Sequence, residues 1–140
     1  MSTQRVHLSI ESKLDHVSLI GVLVRALATQ LGYGNMDSFQ IELAVVEAVN
    51  NSIEHSYLGE PNKKVDVSLA IGEGNFVLTI ADDGIPMPSK VLAESDESAS
   101  SDDFPEGGRG LDIIRQVMDS VTYERGSRNS LHLIKRLPSH

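Results

Sequence analysis

Residues 41–57 read IELAVVEAVNNSIEHSY. Phe39, Leu43, Val46, Val49 and Ile53 recur at spacings of three and four, and Ile41, Val45 and Ala48 widen the same sector. This predicts a helix apolar over much of its circumference, which must be buried against more than one neighbour. Glu47, Asn50, Asn51, Glu54 and His55 interrupt it, and polar groups on a buried helix are costly unless something satisfies them. Glu47 and Asn51, four apart, point the same way, and His55 continues the row. A carboxylate beside a carboxamide offers a proton acceptor and a neutral oxygen ligand, a pair suited to polarising a hydroxyl or water near hydrated Mg2+. The plainer alternative is a solvated stripe, with His55 sitting by the C-terminal dipole of its helix. Asn50 has no separate role.

Outward from this helix, the chain alternates between two periodicities. Val6, Leu8 and Ile10 alternate with polar residues as in a half-buried strand. Ser12 and Asp15 fit a capping box for a helix carrying Leu14, Val17, Ile20, Val24, Leu27 and Leu31, stopped by Gly32 and Gly34. Asp37, with Gln40 three residues on, predicts the start of the second helix. Val65, Val67, Leu69 and Ile71, then Phe76, Leu78 and Ile80, alternate around a GEGN turn as a hairpin. Leu111, Ile114, Val117 and Met118 predict a short third helix, and 121–125 with 131–136 a closing hairpin around GSRN. Adjacent hairpins and three helices predict an α+β two-layer sandwich, its sheet antiparallel or mixed and covered by helices on one face. One domain over 1–140 is expected. The stretch from 85 to 107, including ESDESASSDD, has no periodicity and is long enough to act as a mobile lid.

Composition narrows the function. With 140 residues, 40% hydrophobic and 23% charged, the chain reads as globular. A net charge of −8 with twelve Lys and Arg gives no basic face for a duplex, and 4% aromatics leave few platforms for single strands. Direct nucleic-acid binding is therefore not expected. No apolar run reaches the ~18 residues of a membrane span, no signal peptide is visible, and the absence of cysteine excludes disulfides and zinc–thiolate sites. A cytoplasmic location and no membrane contact are expected.

Two further patches carry chemistry. IADDGIPMP places Asp82 and Gly84 where a strand ends: an aspartate there can accept from an exocyclic amine, and glycine lets a flat ring lie near the backbone. A plain D-D-G turn is the alternative. In EGGRGLDIIRQVM, Gly107, Gly108 and Gly110 precede a helix start, a layout that presents backbone N–H groups to an anion. Arg109 can contact a phosphate or face a partner protein. No G-K-[ST] follows and no strand immediately precedes, so the segment is neither a P-loop nor a Rossmann turn. A hinge before a helix is the alternative.

The order of these patches is more specific than any one of them. A helix with E-x-x-x-N-x-x-x-H, a strand ending in D-x-G, a long loop, then G-x-G-L opening a helix resembles the GHKL ATPases, and within them the small anti-sigma factor serine kinases of the RsbW and SpoIIAB type. Glu47, Asn51 and His55 match the N-box, Asp82 and Gly84 the first glycine box, and Gly108, Gly110 and Leu111 the second. The resemblance runs from the first strand to the last hairpin. Pro86 stands where many relatives have a second glycine, and Arg109 where some have an apolar residue.

The resemblance implies a Bergerat-type fold holding ATP or ADP with Mg2+. It implies that Asn51 coordinates Mg2+, that Asp82 accepts from the adenine amine, and that Gly84 lets the base approach. It further implies that Gly107, Gly108, Arg109, Gly110 and Leu111 belong to the phosphate cradle, that His55 joins the cofactor site, and that Glu47 is the general base toward a protein serine or threonine. Such a kinase phosphorylates a STAS-type anti-anti-sigma protein, sequesters a sigma factor by partner switching, and forms a homodimer. A nucleotide-responsive anti-sigma module without phosphotransfer is the competing reading.

Overall fold

The structure is a computed structural model and describes residues 3–88 and 107–139. Five strands form one wholly antiparallel sheet: β1 (Gln4–Glu11), β2 (Lys64–Gly72), β3 (Asn75–Asp82), β4 (Ser120–Arg125) and β5 (Asn129–Arg136), in the order β1-β2-β3-β5-β4. Among the described residues the helices are α1 (Leu14–Gln30), α2 (Asn35–Asn51) and α3 (Gly107–Val117), with a π turn, Ser52–Ser56, continuing α2. The expected α+β architecture is present, with antiparallel pairing throughout. The expected lid lies mostly, over 89–106, outside the described residues. No described helix is long and apolar enough to cross a membrane.

Period-two alternation builds the core. Val65, Val67 and Leu69 on β2, Phe76, Leu78 and Ile80 on β3, and Leu131 and Leu133 on β5 are buried against Val17, Ile20 and Val24 of α1 and Ile41, Val45 and Val49 of α2. The opposite face is polar: His7 meets Ser68 at 3.1 Å and Thr79 meets His132 at 3.0 Å. Gly21 sits where α1 crosses α2; a Cβ there would lie 3.0 Å from Val46 Cγ2.

Several expectations are corrected. Phe39 and Leu43 are 42% and 40% exposed, while Ala44 is fully buried. The sector of α2 facing the sheet is centred on Ile41, Ala44, Val45 and Ala48, because α1 and the sheet select which part of a broad apolar surface is covered. Helix α2 starts at Asn35, after Gly34 as N-cap, and not at Asp37. Ser12 caps nothing: α1 has Lys13 as N-cap without a side-chain bond. Instead the buried Ser12 hydroxyl donates to the Glu60 carbonyl and accepts from the Lys63 N–H at 3.0 Å, joining the β1–α1 junction to the turn before β2. Val6, on edge strand β1, is 43% exposed.

Candidate functional site

Glu47 and Asn51 lie one above the other on the flank of α2 turned away from α1, since five residues separate them from Glu42 and Val46, which both face Gly21 of α1, about 140° around the helix. The other helical neighbour of α2 is α3. Glu47 and Asn51 are both half-buried. The Asn51 amide nitrogen is buried without a hydrogen-bond partner among the described residues, and a buried polar atom left so is costly. Immediately after Asn51 the helix widens: Tyr57 N–H reaches the Ser52 carbonyl, five residues back, at 3.0 Å. Such π turns concentrate at functional sites. This change of winding corrects the expectation of one α-helical row: His55 is exposed on the π turn and does not continue the stripe in register.

At the end of β3, Asp82 shares the inward face of Phe76, Leu78 and Ile80 and is 4% exposed. Its Oδ1 accepts from Gly84 N–H at 3.0 Å and from Asn129 Nδ2 at 2.8 Å. Asn129, its partner in the β3–β5 register, also donates to the Gly84 carbonyl at 2.9 Å. Asp83 donates its N–H to the Tyr57 hydroxyl at 2.8 Å and accepts from Arg128 Nε at 2.9 Å. Ile85 N–H donates to the Ser56 carbonyl at 2.9 Å. A Cβ on Gly84 would stand 2.3 Å from that same carbonyl oxygen. Glycine is thus required there by the chain's own π turn, a reason different from the expected approach of a flat base. Farther on, Met87 donates its N–H to the Tyr123 hydroxyl at 2.8 Å, and Arg125 donates to the Met87 carbonyl.

The glycine cluster differs from expectation in one respect. Gly107, Gly108, Arg109 and Gly110 do not precede α3; they form its first turn. Glycines there weaken helix propensity, and burial of Leu111, Ile114 and Met118 holds the helix in place. The first-turn N–H groups have no intrahelical acceptor and form the positive end of the dipole. At the other end, Lys135 Nζ donates to the Val117 carbonyl at 2.7 Å. The side chain of Arg109 lies outside the described residues.

Two residues that sequence reading did not single out, Asn129 and Tyr57, therefore hold the Asp82 turn. Only the strand register could have pointed to Asn129, because it comes from knowing which residue stands opposite Asp82.

The donor set suits an anionic nucleotide with a hydrated cation. Asp82 Oδ2 receives no hydrogen bond from the described residues and can accept from a base. The first-turn N–H groups of α3 suit phosphate oxygens. Asn51 supplies a neutral carbonyl oxygen on an amide whose nitrogen lacks a partner among the described residues, and Glu47 a carboxylate one turn away, which fits Mg2+ that keeps most of its waters.

Residues 10–135 match the histidine kinase-like ATPase domain. The chain is 30% identical over 119 residues to an anti-sigma F factor of Geobacillus stearothermophilus, covering 85% of this chain and 82% of the relative. It is 25% identical over 140 residues to the serine-protein kinase RsbW of Bacillus velezensis, covering 97% and 88%. The fold is that of the RsbU and RsbW domains of a Mycobacterium tuberculosis protein, with a TM-score of 0.68 at 18% identity over 96% of this chain and 32% of that one. By its sequence match and its fold, the chain belongs to the histidine kinase-like ATPase domain family, in the branch of the anti-sigma factor serine-protein kinases.

Proposed function

We propose that this protein is an ATP-dependent serine/threonine protein kinase that also acts as an anti-sigma factor. The observation that carries the reading is the placing of Glu47 and Asn51 on the α2 flank turned away from α1, tied through the following π turn to the Asp82 turn. Asp82 would accept from the adenine amine. The first turn of α3 would bind phosphate oxygens through its N–H groups, with Arg109 in the same turn, and His55 would border the cofactor. Asn51 would hold Mg2+ through its carboxamide oxygen, and bound Mg2+ supplies charge neutralisation on the phosphates. Glu47 would orient the incoming hydroxyl and take its proton, the general-base role worth about 10²–10⁴-fold. Positioning and electrostatics account for most of phosphoryl-transfer catalysis, so this short set of residues suffices.

The protein substrate in this reading is a STAS-type anti-anti-sigma protein, and the sequestered partner a sigma factor; a homodimer is the proposed assembly. The names of the relatives support the anti-sigma and kinase roles. Exposed Leu19, Val22, Leu23, Phe39 and Leu43 on α1 and α2 suit a protein that binds others.

The test adds γ-labelled ATP and Mg2+ to host-cell lysate with the purified protein, wild type against Glu47→Gln. Label on a small protein with wild type alone supports the kinase. Absence of label from a wild type shown to bind ATP would replace it with a nucleotide-responsive sequestering module.

A further inference from the structure

The turn after Asp82 is held from two directions, by Asn129 and by the end of α2. Asn129 spends both amide hydrogens on it, one on Asp82 Oδ1 at 2.8 Å and one on the Gly84 carbonyl at 2.9 Å. With Gly84 N–H also on Oδ1, at 3.0 Å, that oxygen is doubly engaged and the carboxylate cannot rotate freely. The second hold comes from the end of α2. Tyr57, 7% exposed, accepts from Asp83 N–H at 2.8 Å while its own hydroxyl donates to the Lys64 carbonyl at 2.6 Å. The Ser56 carbonyl, at the end of the π turn, accepts from Ile85 N–H at 2.9 Å. Asp83, Gly84 and Ile85 thus have every backbone N–H engaged, by Tyr57, Asp82 and Ser56 in turn.

We infer that Asn129 and Tyr57 are positioning residues that set base selectivity: they fix the Asp82 carboxylate so that Oδ2 alone faces the purine amine, and they lock this turn to the helix end that carries Asn51. The inference rests on the nucleotide-site reading and deepens it. A carboxylate held in one rotamer discriminates sharply, because a base carrying a carbonyl in place of the amine sets an acceptor against a fixed acceptor. A carboxylate free to turn finds other partners and discriminates poorly. The tie between Tyr57 and Asp83 adds a second consequence. The base-binding end and the Asn51 end of the site keep a constant separation without help from α3, which is the preorganisation that lowers the cost of binding.

The experiment measures binding of ATP and of inosine triphosphate, which has an oxygen where ATP has its amine, by calorimetric titration with Mg2+. It uses the wild type, Asn129→Ala, Tyr57→Phe and Asp82→Asn, each checked for folding by circular dichroism. Wild type should prefer ATP. Asn129→Ala should bind ATP about tenfold more weakly, the scale of one hydrogen bond to a charged group, and Tyr57→Phe about fivefold, the scale of a neutral one, while inosine triphosphate binding stays within about twofold, so the selectivity ratio falls in both. Equal losses for both nucleotides, or an unchanged ratio in both variants, would overturn the positioning role. If instead Asp82→Asn binds ATP as wild type does, the base-end assignment itself fails, and that result is separable because it appears in a variant that leaves Asn129 and Tyr57 in place.

Discussion

Gly84 and Ser56 pack so closely that a methyl group on Gly84 would stand 2.3 Å from the Ser56 carbonyl oxygen and 2.6 Å from its carbon. Both atoms are backbone, so no rotamer change relieves the clash. Gly84→Ala should therefore destabilise at or beyond the upper end of the ~1–3 kcal/mol typical of overpacking, seen as a lower denaturant midpoint. A midpoint equal to that of wild type would show that the π turn yields easily and that this packing is not what demands glycine.

Ser12 separates two readings of one serine. As the link between the Glu60 carbonyl and the Lys63 N–H it is 1% exposed, so Ser12→Ala should cost about 1–3 kcal/mol, the range for leaving a buried polar partner unsatisfied. Asp15→Ala, which would disrupt a capping box, should change the urea midpoint little. The reverse ranking would restore the cap.

Asn51→Ala sets stability against function. The substitution removes a buried amide nitrogen that has no partner among the described residues, so thermal stability of the nucleotide-free protein should hold or rise slightly. The dependence of ATP affinity on Mg2+ concentration should be lost. Retained Mg2+ dependence would remove Asn51 from the metal assignment.

An acid limb is expected from Asp66. Burial alone would raise its pKa, but hydrogen bonds from Ser9 and Arg128, with the charges of Arg128 and His7, outweigh this and hold the carboxyl below its ordinary range. Arg128 Nη1 stands 2.7 Å from Asp66 Oδ2. A depressed folded pKa contributes stability that is present above the ordinary aspartate value of about 3.9 and is lost as pH falls through the lower folded value. Arg128→Met should lower stability at neutral pH and move the acid unfolding midpoint upward. An unmoved acid midpoint would show that the pair contributes nothing to folding.

The three tyrosines, in a chain without tryptophan, give a clean alkaline signal. Burial raises all three phenols. Tyr33 is pushed up to about 12, with the Asp119 and Asp37 carboxylates adding to burial; at Tyr57 and Tyr123 the N–H groups of Asp83 and Met87 offset part of the rise. A raised folded pKa gives stability present in full below the ordinary value of about 10 and lost as pH climbs through the folded one. Phenolate absorbance should therefore lag behind that of the denatured chain across this window, and Tyr33→Phe should remove the latest-titrating fraction. Coincident titration curves would contradict the burial of these phenols.

Much of the architecture was legible in residue order alone. The alternation of Val65, Val67, Leu69 and Ile71 against Phe76, Leu78 and Ile80 specifies a hairpin, because period two leaves one face to bury whatever lies beyond it. Glu47, Asn51, Asp82, Gly84 and the glycines from 107 to 110 were likewise visible, since their spacing along one chain is itself the signal. What the tertiary structure decided is everything that depends on a neighbour distant in sequence. Phe39 and Leu43 lie outside and Ala44 inside because α1 and the sheet choose the covered sector. Ser12 bonds to residues 48 and 51 positions away, not to its own helix. Asn129 reaches Asp82 only because β5 pairs with β3, and Tyr57 reaches Asp83 only because the chain after α2 packs against the end of β3. A lone asparagine or tyrosine has no period and no motif; its role exists only once folding has brought its partner within hydrogen-bond reach.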